Sequence, residues 1–169
     1  MIKMMKIIGA KGKISDVDKF LKTVNNYNKK HNLVNQLFDA ELIYGKNHIV
    51  SAVEHAKRSM DRKTNTTNSL EMEILLYASG ERQLKIAIPK MGIKKNNTKI
   101  AIVFINDISD KLIDELLNEC SLVKDNKVLE GNIDTLKKFG LNEDEIKTVQ
   151  EHKYEDLILE KVAMVDIIK

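Results

Sequence analysis

The apolar positions along this chain change their spacing several times, and each change marks an element. "KMMKIIGA" (3–10) is short, apolar-rich and broken by Gly9 and Gly12, which predicts a strand. After Ser15 or Asp16 as an N-cap, Val17, Phe20, Leu21 and Val24 recur at helical spacing. A short strand is expected near Gln36–Asp39. Asn47 then opens a helix whose Ile49, Val53, Ala56 and Met60 make one apolar stripe. Ser51, His55, Arg58 and Arg62 keep the same spacing on the opposite face. "TNTTN" reads as a polar linker. "SLEMEILLYAS" is apolar nearly all round, as a buried helix is, although its first half alternates like a strand.

Leu84, Ala87, Ile88 and Met91 predict one face of a further helix, with Pro89 ending or kinking it near Ile88 and Gly92 as a stop. "TKIAIVFIN" (98–106) is the clearest strand. "SDKLIDELLNEC" is an amphipathic helix, and "VLEGN" reads as a strand end and turn. Two short helices follow, "IDTLKKFG" capped by Gly140 and "NEDEIKTV" opened by Asn142. "YEDLILEKVAMVDIIK" closes the chain as a helix. Few strands and several helices in irregular order predict a single α+β domain over residues 1–169. Its small, mostly antiparallel sheet would pack with helices as a two-layer sandwich, and its helical part from about 132 to 169 would offer a partner surface.

At 169 residues the chain is long enough to bury a core without disulfides or metal. A lone cysteine, Cys120, fits a reducing compartment. The N-terminal apolar run is too interrupted by lysines for a signal peptide. No stretch approaches a membrane span, so a cytoplasmic protein is expected. The net charge of +3 hides an asymmetry. Residues 1–99 hold 19 Lys+Arg against 9 Asp+Glu, and residues 100–169 hold 9 against 16. Opposed halves suggest two surfaces for two partners, the basic one suited to nucleic acid; chance segregation of solvated faces is the alternative.

Chemistry of the common enzyme kinds is missing. His48 and His55 stand seven apart on one helix, about 10 Å along its axis, too far to share a zinc. "GAKGK" lacks the hydroxyl residue and the first glycine of a phosphate loop. Tyr77, Glu81 and Arg82 could do acid–base work, but no motif assembles them. No metal and no cofactor are expected, and a binding protein is favoured over an enzyme.

"SGERQ" (79–83) is the stretch best suited to recognition. Ser79 or Gly80 would cap a helix starting near Glu81, whose free N–H groups suit a phosphate. Arg82 offers a planar fork that can stack on a base, and Gln83 can donate and accept. An ordinary helix cap, with Glu81 on the dipole and Arg82 solvated, uses the same residues.

Taken in order, "FDAELIYGKNHIVSAVEHAKRSM", "NSLEMEILLYASGERQLKIAIPKMGIK", "KIAIVFI" and "LILEKVAMVDI" resemble the tRNA-binding regulatory subunit of the KEOPS complex, the p53-related-protein-kinase-binding protein family, in its archaeal type. The resemblance implies a non-catalytic α+β protein that binds the complex's small atypical kinase/ATPase subunit and the 3′ CCA end of tRNA. Such a subunit supports threonylcarbamoyl-adenosine formation without a cofactor of its own. The implied tRNA-binding residues are His55, Arg58, Arg62, Ser79, Gly80, Glu81, Arg82, Gln83, Lys94 and Lys95. In the last helix Ile158, Val162 and Val165 form a core stripe. Leu157, Leu159, Met164 and Ile168 are left over as the expected kinase-subunit interface. A protein-interaction module without RNA contact, and a small enzyme using Tyr77, Glu81 and Arg82, are the other readings.

Overall fold

A computed structural model describes residues 5–169. Its centre is a four-stranded antiparallel sheet in the order β2-β3-β1-β4, built from β1 (Lys6–Lys11), β2 (Asn35–Asp39), β3 (Lys99–Phe104) and β4 (Val123–Lys124). The β3 run is apolar at every interior position because both of its faces are covered. Ile100, Ile102 and Phe104 pack with α1 (Val17–His31) and α5 (Asp110–Glu119). Ala101 and Val103 face the second core, formed with α2 (Gly45–Asp61), α3 (Leu70–Ser79), α4 (Leu84–Met91), α6 (Ile133–Phe139), α7 (Glu143–Ile146) and α8 (Tyr154–Ile168). The class is α+β, but helices on both faces make three layers where two were expected.

The elements carry their expected local chemistry. Asp16 caps α1 by accepting from Lys19 N–H, and Ser109 caps α5. Asn132 and Asn142 each close a capping box, and Gly140 adopts the left-handed C-cap of α6. Residues 3 and 4 of the first expected strand lie outside the described residues. "VLEGN" is not a strand end: Val128 and Leu129 lie in a 3-10 turn capped by Asp125, and the short strand comes earlier, at Val123. α2 begins two residues before Asn47, after Tyr44. Its buried face holds Ile49, Val53 and Ala56 as expected, with His48, Ala52 and Ser59 in place of Met60.

α3 is helical despite its alternating start. Burial on all sides decides it: Ile74, Leu75, Leu76 and Tyr77 are fully enclosed, each contributing about 1.5–3 kcal/mol of transfer free energy. Pro89 does not end α4, which runs on to Met91 and closes with Gly92 N–H on the Ile88 carbonyl at 2.8 Å. The proline removes one bond on the exposed side of a short helix. On that side Ile88 stands 46% exposed rather than joining Ala87 and Met91 in the core. Among the described residues no helix is long and apolar enough to cross a membrane.

Candidate nucleic-acid and partner-docking site

The connector between α3 and α4 is held at both ends. Ser79 Oγ donates to the Leu76 carbonyl at 2.7 Å and accepts from Glu81 N–H at 3.1 Å. Gly80 is left-handed (φ 71°) and caps α3. A Cβ there would meet the Phe139 ring at 3.2 Å, so the position is restricted by backbone and neighbour together. Lys90 Nζ donates to the Ser79 carbonyl at 2.7 Å and to Glu81 Oε1 at 3.1 Å, and sits 4.0 Å over the Phe139 ring. Burial pulls the Lys90 pKa below its usual value, against the opposing pull of Glu81. Ser79, Gly80 and Glu81 are therefore structural parts of the turn. The expected helix start near Glu81 is corrected: α4 begins at Leu84, with Gln83 as an N-cap that makes no side-chain bond. Arg82 and Gln83 are left exposed on this fixed connector.

The other expected tRNA residues divide into two groups. His55 is not on a solvated face. Its Nδ1–H donates to Asp166 Oδ2 at 2.7 Å and its ring stacks on Tyr77 at 5.4 Å. Tyr77 donates its hydroxyl proton to the same carboxylate. Burial raises the Tyr77 pKa, and the Asp166 bond adds to this. Burial would raise Asp166 too, but the bonds from Tyr77 and His55 prevail and hold it below the usual carboxylate range. Lys94 donates to Asp39 Oδ2 at 2.9 Å, the Lys90 carbonyl at 2.8 Å and the Gly92 carbonyl at 3.2 Å, so its three protons are taken.

Arg58, Arg62 and Lys95 remain exposed. Arg58 and Arg62 do not form one cluster with the connector. His48, near the start of α2, reaches the Ala78 carbonyl at 2.8 Å beside the connector. Arg58 and Arg62 lie 10 and 14 residues further along α2, about 15 and 21 Å down its axis.

α8 crosses both regions. Its Lys161 Cβ would lie 3.5 Å from a Cβ added at Gly80, and its far end is bolted to α2 and α3. Lys169 Nζ donates to Ser59 Oγ and to Glu73 Oε2, and sits 4.8 Å from the Tyr77 ring. Leu157 is only 9% exposed and belongs to the core with Ile158, Val162 and Val165, which removes it from the expected interface. The stagger of Leu157 against Ile158 lets both face inward on a helix wedged between α2, α3 and α6. Leu159 is half-buried. Met164 (39%) and Ile168 (41%) are exposed as expected, and Ile167, at 73%, is the most exposed large apolar residue described.

The family model described as "Kinase binding protein CGI-121" matches residues 13–166. The chain belongs to the CGI-121 family. It is also 28% identical over 141 residues to "Regulatory protein Cgi121" of Methanocaldococcus jannaschii, an alignment covering 79% of this chain and 84% of that protein. The CGI-121 match takes in the whole connector, all of α2 and most of α8. The family recognised from "SGERQ" and its flanks is thus the one the match supports. Three residues that shape the site had no mark in the sequence. Lys90, Asp166 and Lys169 act through partners 9 to 111 positions away. Ile167 could have been found, since it stands three positions from Met164 on one helix face.

Proposed function

We propose that this CGI-121 chain is a non-catalytic subunit of a KEOPS complex. It holds the 3′ CCA end of tRNA at the α3–α4 connector and the small kinase/ATPase subunit along the outer face of α8, supporting threonylcarbamoyl-adenosine modification. The observation that carries the first half is the state of Arg82 and Gln83: exposed, on a connector whose other three residues are locked into the protein. A guanidinium and an amide presented this way suit splayed, single-stranded bases and their phosphates. The family description supports the second half, and so does the apolar outer face of α8.

The test is binding of tRNA with and without its CCA end. Arg82→Ala is expected to weaken binding of intact tRNA by about 10- to 150-fold, equivalent to about 1.5–3 kcal/mol for one charge-assisted contact. Its thermal unfolding should be unchanged, because an exposed cation adds little to stability. tRNA lacking CCA should bind wild type and variant equally poorly. Equal affinity of the two proteins for intact tRNA would leave the connector as a helix junction only. The second reading, a kinase-binding module without RNA contact, is favoured by the internal commitment of His55 and Lys94; it predicts that equality.

For the kinase face, Ile167→Glu is expected to abolish co-purification with the kinase subunit. The substitution is tolerated by the fold because the side chain is 73% exposed. Wild-type recovery of the kinase with a folded Ile167→Glu chain would move the docking surface elsewhere.

A further inference from the structure

The sheet order leaves β2 as an edge strand. Its ladder to β3 determines which backbone groups point inward. Ile105 N–H donates to the Val34 carbonyl at 2.9 Å, and the register continues from Asn35↔Phe104 to Asp39↔Ile100. Antiparallel pairs alternate, so Gln36 and Phe38 bond to β3 while Asn35 and Leu37 turn their N–H and C=O groups outward. Gln36 Nε2 donates to the Leu37 carbonyl at 2.9 Å. The Asn35 N–H, the Asn35 carbonyl and the Leu37 N–H have no protein partner among the described residues. Both residues are nonetheless buried, a setting in which backbone groups are rarely left unpaired.

This edge is the floor of a groove of about 440 Å³ between α1 on one side and α3 and α4 on the other. Leu21 and Val24 line it from α1, and Met72 and Ile88 from the opposite wall. Leu21 and Ile88 are two of the large apolar side chains this chain leaves exposed. Glu71 is the only charged residue in the lining. A nucleic acid needs cations along its path, and the groove has none. The strand edge of a second folded copy would have to enter between two helical layers, whereas a single extended segment needs only the width of the groove.

We propose that the groove takes an extended peptide from a partner protein as an added strand beside β2, apolar at alternate positions and carrying a lysine or arginine opposite Glu71. The peptide's main chain would satisfy the outward groups of Asn35 and Leu37. Its alternating side chains would fall toward the α1 wall and the α3–α4 wall in turn. This surface is separate from the connector and from the outer face of α8, so it stands or falls independently of the tRNA and kinase assignments.

Three capped hexapeptides test it: one alternating valine and threonine with lysine at both ends, one with glutamate at the ends, and one with lysine ends and two central prolines, which removes a donor from each peptide edge. The readout is amide hydrogen exchange of the full chain at about 1 mM peptide, about ten times a dissociation constant of about 0.1 mM. The lysine peptide is expected to slow exchange at Asn35 and Leu37 roughly tenfold, and the other two to leave it unchanged. In Glu71→Lys the preference should pass to the glutamate peptide. No slowing with any peptide, or equal slowing with all three, overturns the proposal. So does slowing that grows with protein concentration alone, which would assign the edge to a second copy.

Discussion

Glu73→Ala is expected to destabilise the fold by about 3–5 kcal/mol, the cost of stripping one partner from a buried ion pair. Glu73 is fully buried near the N-terminus of α3, yet every bond it needs is present. Oε1 accepts from Thr67 N–H at 3.0 Å and from the Thr67 hydroxyl at 2.9 Å. Oε2 accepts from the Ser59 hydroxyl at 2.9 Å and from Lys169 at 3.1 Å, and Thr66 N–H reaches both oxygens. Burial alone would raise its pKa, but the donors from Lys169, Ser59 and Thr67 outweigh it and hold the carboxyl below the usual range. Alanine would strip the Thr66 and Thr67 N–H groups of their acceptor and leave an ammonium with only 8% side-chain exposure, while the Thr67 hydroxyl could turn to the Ser69 carbonyl at 3.0 Å. Glu73→Gln keeps the volume and an acceptor, so about 1–3 kcal/mol is expected. Lys169→Ala should cost less than Glu73→Ala, since the carboxylate keeps its other donors. The double variant should cost less than the sum of the two singles. Urea unfolding followed by far-UV circular dichroism measures all four; a Glu73→Ala loss under about 1 kcal/mol would falsify the anchoring role.

What could be read from the sequence follows from how local its causes are. α1, α5, α6 and α7 announce themselves because Asp16, Ser109, Asn132 and Asn142 make their bonds within a few residues. β3 was clear because a run apolar on both faces has few other solutions. α8 was harder. A helix apolar on several sides suggests either a sandwiched element or an exposed apolar face, and this one has both: Leu157 turns inward while Ile167 turns out. The pattern cannot rank those two, because the ranking depends on where α2, α3 and α6 lie. His55 failed for a similar reason. Spacing put it on the face opposite Ile49 and Val53, but α8 packs there too, and its Asp166 comes 111 residues later. "TNTTN" looked like a linker, yet Thr66 and Thr67 are the cradle for Glu73.

These corrections share a physical consequence. α3 is the strut on which both proposed surfaces depend: its N-terminal end binds the tail of α8 through Glu73, and its C-terminal end fixes the connector through Ser79. Positions that appeared to be recognition residues, His55 and Lys94 among them, hold this frame together. The proposed recognition rests on fewer side chains, each of which is correspondingly more telling when substituted.

Acid should weaken the frame from its other end. His48 is fully buried in α2, where Nδ1 accepts from Tyr44 N–H at 3.0 Å and Nε2–H therefore donates to the Ala78 carbonyl at 2.8 Å. That pattern holds the ring neutral. Burial lowers its pKa from 6.5 to about 4; the Ala78 carbonyl opposes the shift and the charge of Lys90 adds to it. The unfolded chain takes up a proton near pH 6.5 while the folded one refuses it until about pH 4. The stability tied to this histidine is thus present above pH 6.5 and is lost as pH falls between those values. At about 1.4 kcal/mol per unit, the loss should reach about 2 kcal/mol at pH 5 and about 3 kcal/mol at pH 4. Glu73 adds its own loss once pH falls through the ordinary carboxylate value of 4.5, so the window above pH 5 reports on the histidine. His48→Asn should be less stable than wild type at pH 7, because the ring also packs edge-on against Phe139 at 5.7 Å. Its unfolding free energy should, however, be nearly flat between pH 7 and pH 5, where wild type falls. Urea titrations at half-unit steps decide it: parallel curves for the two proteins over that window would assign the acid sensitivity to other groups. The added proton would sit on Nδ1, so the bond that breaks is the one from Tyr44 N–H at the start of α2, while Nε2–H keeps its hold on the Ala78 carbonyl beside the connector.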